Sequence, residues 1–214
     1  MTSDALFAVA AVVALVPAII LHEISHGVVA LWLGDDTAKR SGRLSLNPIR
    51  HVDPFGTLIL PGALVALALL GLSSGVVFGY AKPVPVDRSR LRSPRHGMLA
   101  VSLAGPLTNL ILASIGAVAL GMVVSARSSQ LVPFVFTWIL VNVFIGIFNL
   151  APFPPLDGSE VVAWLLPRRA REVFYAIRGY GFLLLFALIF AFPGLLFRIV
   201  DPIVGAIIGL LAGG

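Results

Sequence analysis

The sequence predicts an all-α polytopic membrane protein, a bundle of about four to six transmembrane helices with short β-strands or a re-entrant segment set among them. Composition is the first reason: 58% of the 214 residues are hydrophobic and 12% are charged. The second is a mean hydropathy of +1.01, far above that of a water-soluble domain. The third is the recurrence of apolar runs that match the roughly 20 helical residues needed to cross about 30 Å of hydrocarbon.

The first run, 5–33, has no Lys or Arg before it and no small-residue cleavage pattern after it, so it reads as a retained helix and not as a removable signal. Downstream, Leu44 and Leu46 alternate with polar neighbours, and Val84 and Val86 are spaced by Pro83 and Pro85; both patterns read as short edge strands. Between them, 55–80 is apolar but broken by Pro61-Gly62 and by the weak patch Gly71-Leu72-Ser73-Ser74-Gly75, which argues against a full span. The runs 97–124 and 131–150 are long enough to cross. The last run, 179–211, carries Pro193-Gly194 and Arg198 in its middle and is consistent with one tilted helix, a broken helix or two short ones. No repeat, low-complexity tract or polar module divides the chain, which reads as a single domain over 1–214.

The net charge is +5, and it is unevenly placed. Lys39, Arg40, Arg43 and Arg50 share one loop, Lys82, Arg88, Arg90, Arg92 and Arg95 the next, and Arg168, Arg169, Arg171 and Arg178 a third, whereas only Arg127 separates the runs 97–124 and 131–150. Placing the three basic loops in the cytoplasm puts the N-terminus outside and requires 55–80 to leave the membrane on the side where it entered. This is the pattern of a multi-pass cell-membrane protein whose basic loops face anionic lipid or merely set orientation, so the lipid bilayer is an expected partner and nucleic acid is not. There is no cysteine, so any metal must be held by His, Asp or Glu.

The stretch "AIILHEISHGVVALWLG", 18–34, places three ionisable groups inside the first run. His22 and His26 are four apart, about 40° from each other on one helical face, and can bind one ion. Glu23 projects beside them, where a carboxylate can take a proton from an attacking water; the pattern is the H-E-x-x-H of zinc hydrolases. The plainer alternative is buried polar residues joining helices, but each intramembrane ionisable group costs about 2.5 to 3.5 kcal/mol, which makes three within five residues an expensive joint. A catalytic zinc needs a third protein ligand. The best candidate is Asp157 in "NLAPFPPLDGSE", directly after the run 131–150, where Pro152, Pro154 and Pro155 prevent regular helix and Gly158 permits a tight turn. A solvated aspartate in an ordinary exit loop is the alternative there. His26 lies seven residues before Leu33, about 10 Å along the helix, so the ion would sit within the bilayer nearer the cytoplasmic end.

At these residues the chain resembles the site-2 protease family of intramembrane zinc metalloproteases, in its compact prokaryotic form without PDZ or CBS domains. That family pairs H-E-x-x-H with a later N-x-x-P-x-x-x-x-D-G element, here His22 to His26 and Asn149 to Gly158. "GRLSLNPIRHVDPFG", "FGYAKPVPV" and "AGPLTN" are also similar to segments of the compact members. The resemblance implies one Zn2+ per chain held by His22, His26 and Asp157, with Glu23 as general base and Asn149 as a polar group near the scissile carbonyl. It further implies a helical core with short strands near the active site, and cleavage of a transmembrane helix of another protein. An edge strand would suit such a substrate, whose backbone must be extended before it can be cut.

Two other readings use the same groups. A membrane metal or proton transporter would employ the His, Glu and Asp cluster as a transit site and would not need Glu23 as a base. A haem protein would use histidines as axial ligands, but two histidines one turn apart suit a single ion better. His51 and Asp53 in "RHVDP" are metal or relay candidates that also fit as turn residues, and His96 reads as interfacial. Asn109 reads as a helix-packing hydrogen bonder beside Ala104 and Gly105, with lining of the site as its other role. Trp32, Trp138 and Trp164 fit interfacial or packing positions.

Overall fold

The computed structural model describes residues 3–70, 79–128 and 130–181, together with 183, 187, 198, 202–206 and 209. Its α-helices are α1 (Ser3–Trp32), α2 (Thr37–Arg40), α3 (Leu60–Leu69), α4 (Pro94–Ser125), α5 (Val132–Asn149), α6 (Gly158–Leu165) and α7 (Arg168–Ile177). Among the described residues, three stretches are long and apolar enough to cross a membrane: Val9–Trp32 within α1, all of α4 and all of α5. The remaining run expected from the sequence, 179–211, lies largely outside the described residues.

These three helices pack against one another in all three pairings. Lipid offers no hydrophobic drive for helix pairing, so close approach must supply the van der Waals gain. α4 permits it with a face of small residues: Ala113 and Ala117 are fully buried and pack with Ile139 and Val143 of α5. At Gly116 on that face a Cβ would lie 2.6 Å from Cδ1 of Trp138, whose indole N–H donates to the Leu112 carbonyl at 2.9 Å. The opposite sides carry exposed Ile111, Ile115, Val118 and Met122 on α4 and Val9, Val12, Val13 and Val16 on α1, apolar faces suited to lipid.

Beyond α1 the chain is held by its own polar groups. Gly34 takes φ 108 and ends the helix, and the carboxylate of the fully buried Asp35 accepts from the Thr37 amide (3.0 Å), the Thr37 hydroxyl (2.5 Å) and the Asp87 amide (2.7 Å). Buried Arg43 donates to the carbonyls of Arg50, Lys82 and Pro83, which ties the loop after α2 to the segment before α4.

The expected strands do not form among the described residues: neither 44–46 nor 83–86 enters a ladder. The reason is chemical. Pro83 and Pro85 remove alternate donors, the Lys82 and Pro83 carbonyls accept from Arg43, and the Val84 amide donates to a side chain of α1. In 83–86, then, backbone groups a ladder would use are already engaged or missing.

The segment between these loops opens with a π-helical turn, Pro54–Ile59, whose Phe55 and Gly56 amides donate to Asp53 at 3.0 and 2.7 Å. It continues as α3, whose ten residues reach about 15 Å, half a hydrocarbon core. The Tyr80 amide donates to the Gly56 carbonyl at 3.0 Å, and the Thr57 hydroxyl to the Tyr80 carbonyl at 3.0 Å, so the chain ends this excursion beside the point where it began.

Candidate metal centre

One turn of α1 carries His22, Glu23 and His26, and the histidines are 5% and 8% exposed. α4 crosses them with Val101, Ser102, Gly105 and Asn109, and the turn following α5 brings Asp157 to the same point. The sequence separates these groups by up to 135 residues; helix packing reunites them.

The hydrogen bonds fix which nitrogen each imidazole has left. His26 Nδ1 lies 2.6 Å from the Val101 carbonyl, which can only accept, so Nδ1 carries the hydrogen. His22 Nδ1 lies 2.6 Å from Oδ1 of Asn109, and the Asn109 amide nitrogen donates to the Ala18 carbonyl (3.2 Å) and to Oδ1 of Asn142 (3.0 Å). That arrangement makes Oδ1 the acceptor and His22 Nδ1 the donor. Asn142 passes the chain on to the Trp138 carbonyl at 2.9 Å, and both asparagines are fully buried.

Both histidines therefore present Nε2 as the remaining nitrogen, and both point at one oxygen. His22 Nε2 is 3.1 Å and His26 Nε2 is 3.3 Å from Oδ2 of Asp157, and ligand atoms from all three residues lie within 4.8 Å of one another. Two imidazole lone pairs and a carboxylate converging in a buried place call for a cation between them. Gly105 lets both rings reach this point: a Cβ there would lie 2.5 Å from each Nε2. The donor set and this clearance fit a metal with nitrogen and oxygen ligands.

Asp157 is held from behind. Ser102 donates to its carbonyl at 2.7 Å, and the next residue, Gly158, meets the Leu150 carbonyl so closely that no Cβ fits, which lets the proline-rich turn double back after α5. Glu23 stands beside the pair with Oε2 accepting from the Val84 amide at 2.8 Å, a contact that depends on Arg43 gripping Lys82 and Pro83.

The other candidates hold other partners. His51 is buried with Nε2 on the Ser45 carbonyl at 2.8 Å, and Asp53 caps the turn Pro54–Ile59. His96 packs against Trp164 with ring centroids 6.1 Å apart. The Asn149 amide donates to the Ile145 carbonyl one helical turn earlier, at 3.0 Å. Asn109, weighed above between packing and the site, is the residue that bonds a converging histidine. Its signals in the sequence are an asparagine within an apolar span and its place in "AGPLTN".

Comparison with known proteins fits this geometry. The family described as "Peptidase family M50" matches residues 122–192, which include the turn bearing Asp157. In Bacillus subtilis, the protein named "Putative zinc metalloprotease YwhC" is 41% identical over 189 residues, covering 85% of this chain and 80% of that protein. Proteins given the same description under the name Rip2 are 28% identical in Mycolicibacterium smegmatis, over 79% of this chain and 62% of theirs, and 31% identical in Mycobacterium tuberculosis, over 64% and 50%. The chain thus spans most of the Bacillus relative but only about half to three fifths of the mycobacterial ones. No solved structure matches.

Proposed function

The chain belongs to peptidase family M50, and from that premise we propose that it is a zinc-dependent intramembrane endopeptidase of site-2 protease type, cutting a transmembrane helix of a substrate protein. The observation that carries the reading is the convergence of His22 Nε2, His26 Nε2 and Asp157 Oδ2 on a single buried point cleared by Gly105. In this reading those three residues hold one zinc. When bound, the metal supplies a Lewis acid that polarises the scissile carbonyl and makes water acidic near neutral pH.

The chain's own groups do the rest. Val101 and Asn109 keep both Nδ1 hydrogens in place, which fixes the ring orientations. The Val84 amide holds Glu23 Oε2 and leaves Oε1 to accept a proton from the attacking water; the same carboxyl then gives that proton to the leaving amine. Asn149 would steady the oxyanion by exchanging its bond to Ile145 for one to the substrate. The excursion 55–80 is re-entrant in this reading, supported by the Tyr80 to Gly56 bond. The basic loops face the cytoplasm, with the N-terminus outside.

A transporter would use the same acidic and imidazole groups, and Glu23→Gln separates the two. The variant keeps the residue's size but cannot take the proton. Zinc should stay bound while cleavage of a transmembrane substrate reconstituted with the protein falls by about two orders of magnitude or more. Near-normal cleavage by a zinc-loaded Glu23→Gln protein would overturn the role of Glu23. Metal flux through the wild type without any cleavage would favour the transporter.

A further inference from the structure

Away from the metal centre, a cavity of about 230 Å3 opens where α4 begins and α6 and α7 meet, lined among others by Arg88, Arg95, Glu160, Trp164, Arg171 and Tyr175. Its volume is well above the ~10–15 Å3 that a single water requires. Three guanidinium groups and one carboxylate leave its wall with a charge of +2.

Those groups are unequally engaged. Glu160, 5% exposed, takes Arg88 at 2.6 Å, and Tyr175 bridges the two, accepting from Arg88 at 2.6 Å and donating to Glu160 at 2.9 Å. Arg95 donates only to a neutral carbonyl, that of Trp164, and stands 5.9 Å from the centre of that ring. The Arg171 guanidinium makes no hydrogen bond or ion pair with a described residue, while its amide donates to the Pro167 carbonyl at 3.0 Å. Two arginines without a charged partner, aimed around a cavity whose third arginine is already balanced, form the fork-like donor set that suits a phosphate.

The cavity's position narrows the source of that phosphate. α4 is long and apolar enough to cross a membrane, and its first residues, Pro94 and Arg95, form part of the cavity, which therefore lies at the end of a candidate span. The Ser93 side chain does not cap this end, and the free amides there favour negative charge. α7 is amphipathic: Arg168, Arg169 and Arg171 are joined by Val173, Phe174, Tyr175 and Ile177, of which Val173 and Ile177 are 62% and 47% exposed. A short helix of this kind lies in the headgroup layer with its apolar residues toward the acyl chains.

We propose that this cavity is a binding site for the phosphate of an anionic phospholipid headgroup, gripped by Arg95 and Arg171. The site sits on α6, the helix that begins immediately after Asp157, yet its occupancy needs neither metal nor peptidase activity.

The test uses the full chain purified in a non-ionic detergent, with binding followed calorimetrically as short-chain phosphatidylglycerol, short-chain phosphatidylcholine or sodium phosphate is added. Phosphatidylglycerol should bind saturably and phosphatidylcholine much more weakly. Arg171→Gln and Arg95→Gln should each weaken phosphatidylglycerol about five-fold, and the pair about 25-fold. Arg168→Gln should change nothing, because Arg168 is 86% exposed and pairs with Glu172. Phosphatidylglycerol binding that is unaltered in the double variant would overturn the site. Arginine-dependent binding of sodium phosphate matching that of the lipid would overturn the lipid assignment in favour of a free phosphate ligand. If Arg95→Gln fails to fold, Arg171→Gln alone decides, since the Arg171 guanidinium has no described partner whose loss would unfold the chain.

Discussion

Two buried histidine environments in this protein differ in which ring nitrogen is left over. At His51 one nitrogen is spent on the Ser45 carbonyl and the other, Nδ1, is buried without a partner. At His22 and His26 the Nδ1 atoms are spent on neutral acceptors, and both Nε2 atoms turn to one carboxylate oxygen. Burial is nearly the same: 3% exposed for His51, against 5% and 8%. What separates the sites is convergence. His51 anchors a loop beside Arg43 and Lys82, whereas the paired imidazoles and Asp157 bring three ligand atoms within 4.8 Å of one another, a set that could hold a metal ion.

The sharpest way to break that contrast is to fill the gap. Gly105→Ala puts a methyl where its Cβ lies 2.5 Å from each Nε2, so zinc occupancy should collapse and cleavage should fall about 100-fold or more. Elemental analysis beside a cleavage assay reads both, and a fully loaded, active Gly105→Ala protein would show that the metal is not held there.

A smaller effect is expected behind His22. Asn109→Leu keeps the bulk but leaves Nδ1 without its acceptor, so zinc affinity should drop about 10- to 100-fold, measured by competition with a chelator. Unchanged affinity would reduce Asn109 to helix packing.

In the loop region the expected effects are on stability and alignment. Arg43→Met strands the carbonyls of Arg50, Lys82 and Pro83 and loosens the Val84 contact with Glu23. It should lower Tm, at a cost of about 1–3 kcal/mol per polar group left unsatisfied, and reduce kcat while zinc stays bound. Loss of zinc in this variant would erase the distinction drawn between the two regions.

The smallest effect is electrostatic. Burial pushes the Asp35 carboxyl up, but the hydrogen bonds from the Thr37 hydroxyl and amide and from the Asp87 amide prevail and hold its pKa below the usual carboxylate value. A lowered folded pKa means that the unfolded chain takes up the proton first as pH falls. The stabilisation is therefore complete above the unfolded value near about 4 and is lost as pH drops through the lower folded one. Thermal melts of wild type and Asp35→Asn should differ most above about pH 5 and converge as the solution is made more acid than the unfolded value; a gap that widens in acid would reverse the assignment.

How far the sequence could be read depended on the range over which each signal acts. His22, Glu23 and His26 lie on one helical turn, and Asp157 stands out as an acidic residue at the end of a span, so local sequence nominates all four, and packing brings ligand atoms of His22, His26 and Asp157 within 4.8 Å of one another. Asn109 and Gly105 both belong to "AGPLTN", but Asn109 needed the α1 to α4 packing to meet His22, and the place of Gly105 emerged only when its Cβ position was set against both imidazoles. The strands failed for a different reason. Alternation of Leu44 with Leu46 and of Val84 with Val86 is real, but alternation does not reveal that Arg43 and Glu23 claim the backbone groups a ladder requires. The three long spans of α1, α4 and α5 agree with the apolar runs, since length and hydropathy are local properties.

The measurement that bears most directly on the central claim is zinc content per chain in four purified proteins: wild type, Asp157→Ala, His22→Ala and His51→Ala. One zinc per chain is expected in the wild type and in His51→Ala, and well under one in Asp157→Ala and His22→Ala, all four still inserting in the membrane. A full complement of zinc in Asp157→Ala, or its loss in His51→Ala, would contradict the assignment of the metal to the point where His22, His26 and Asp157 converge.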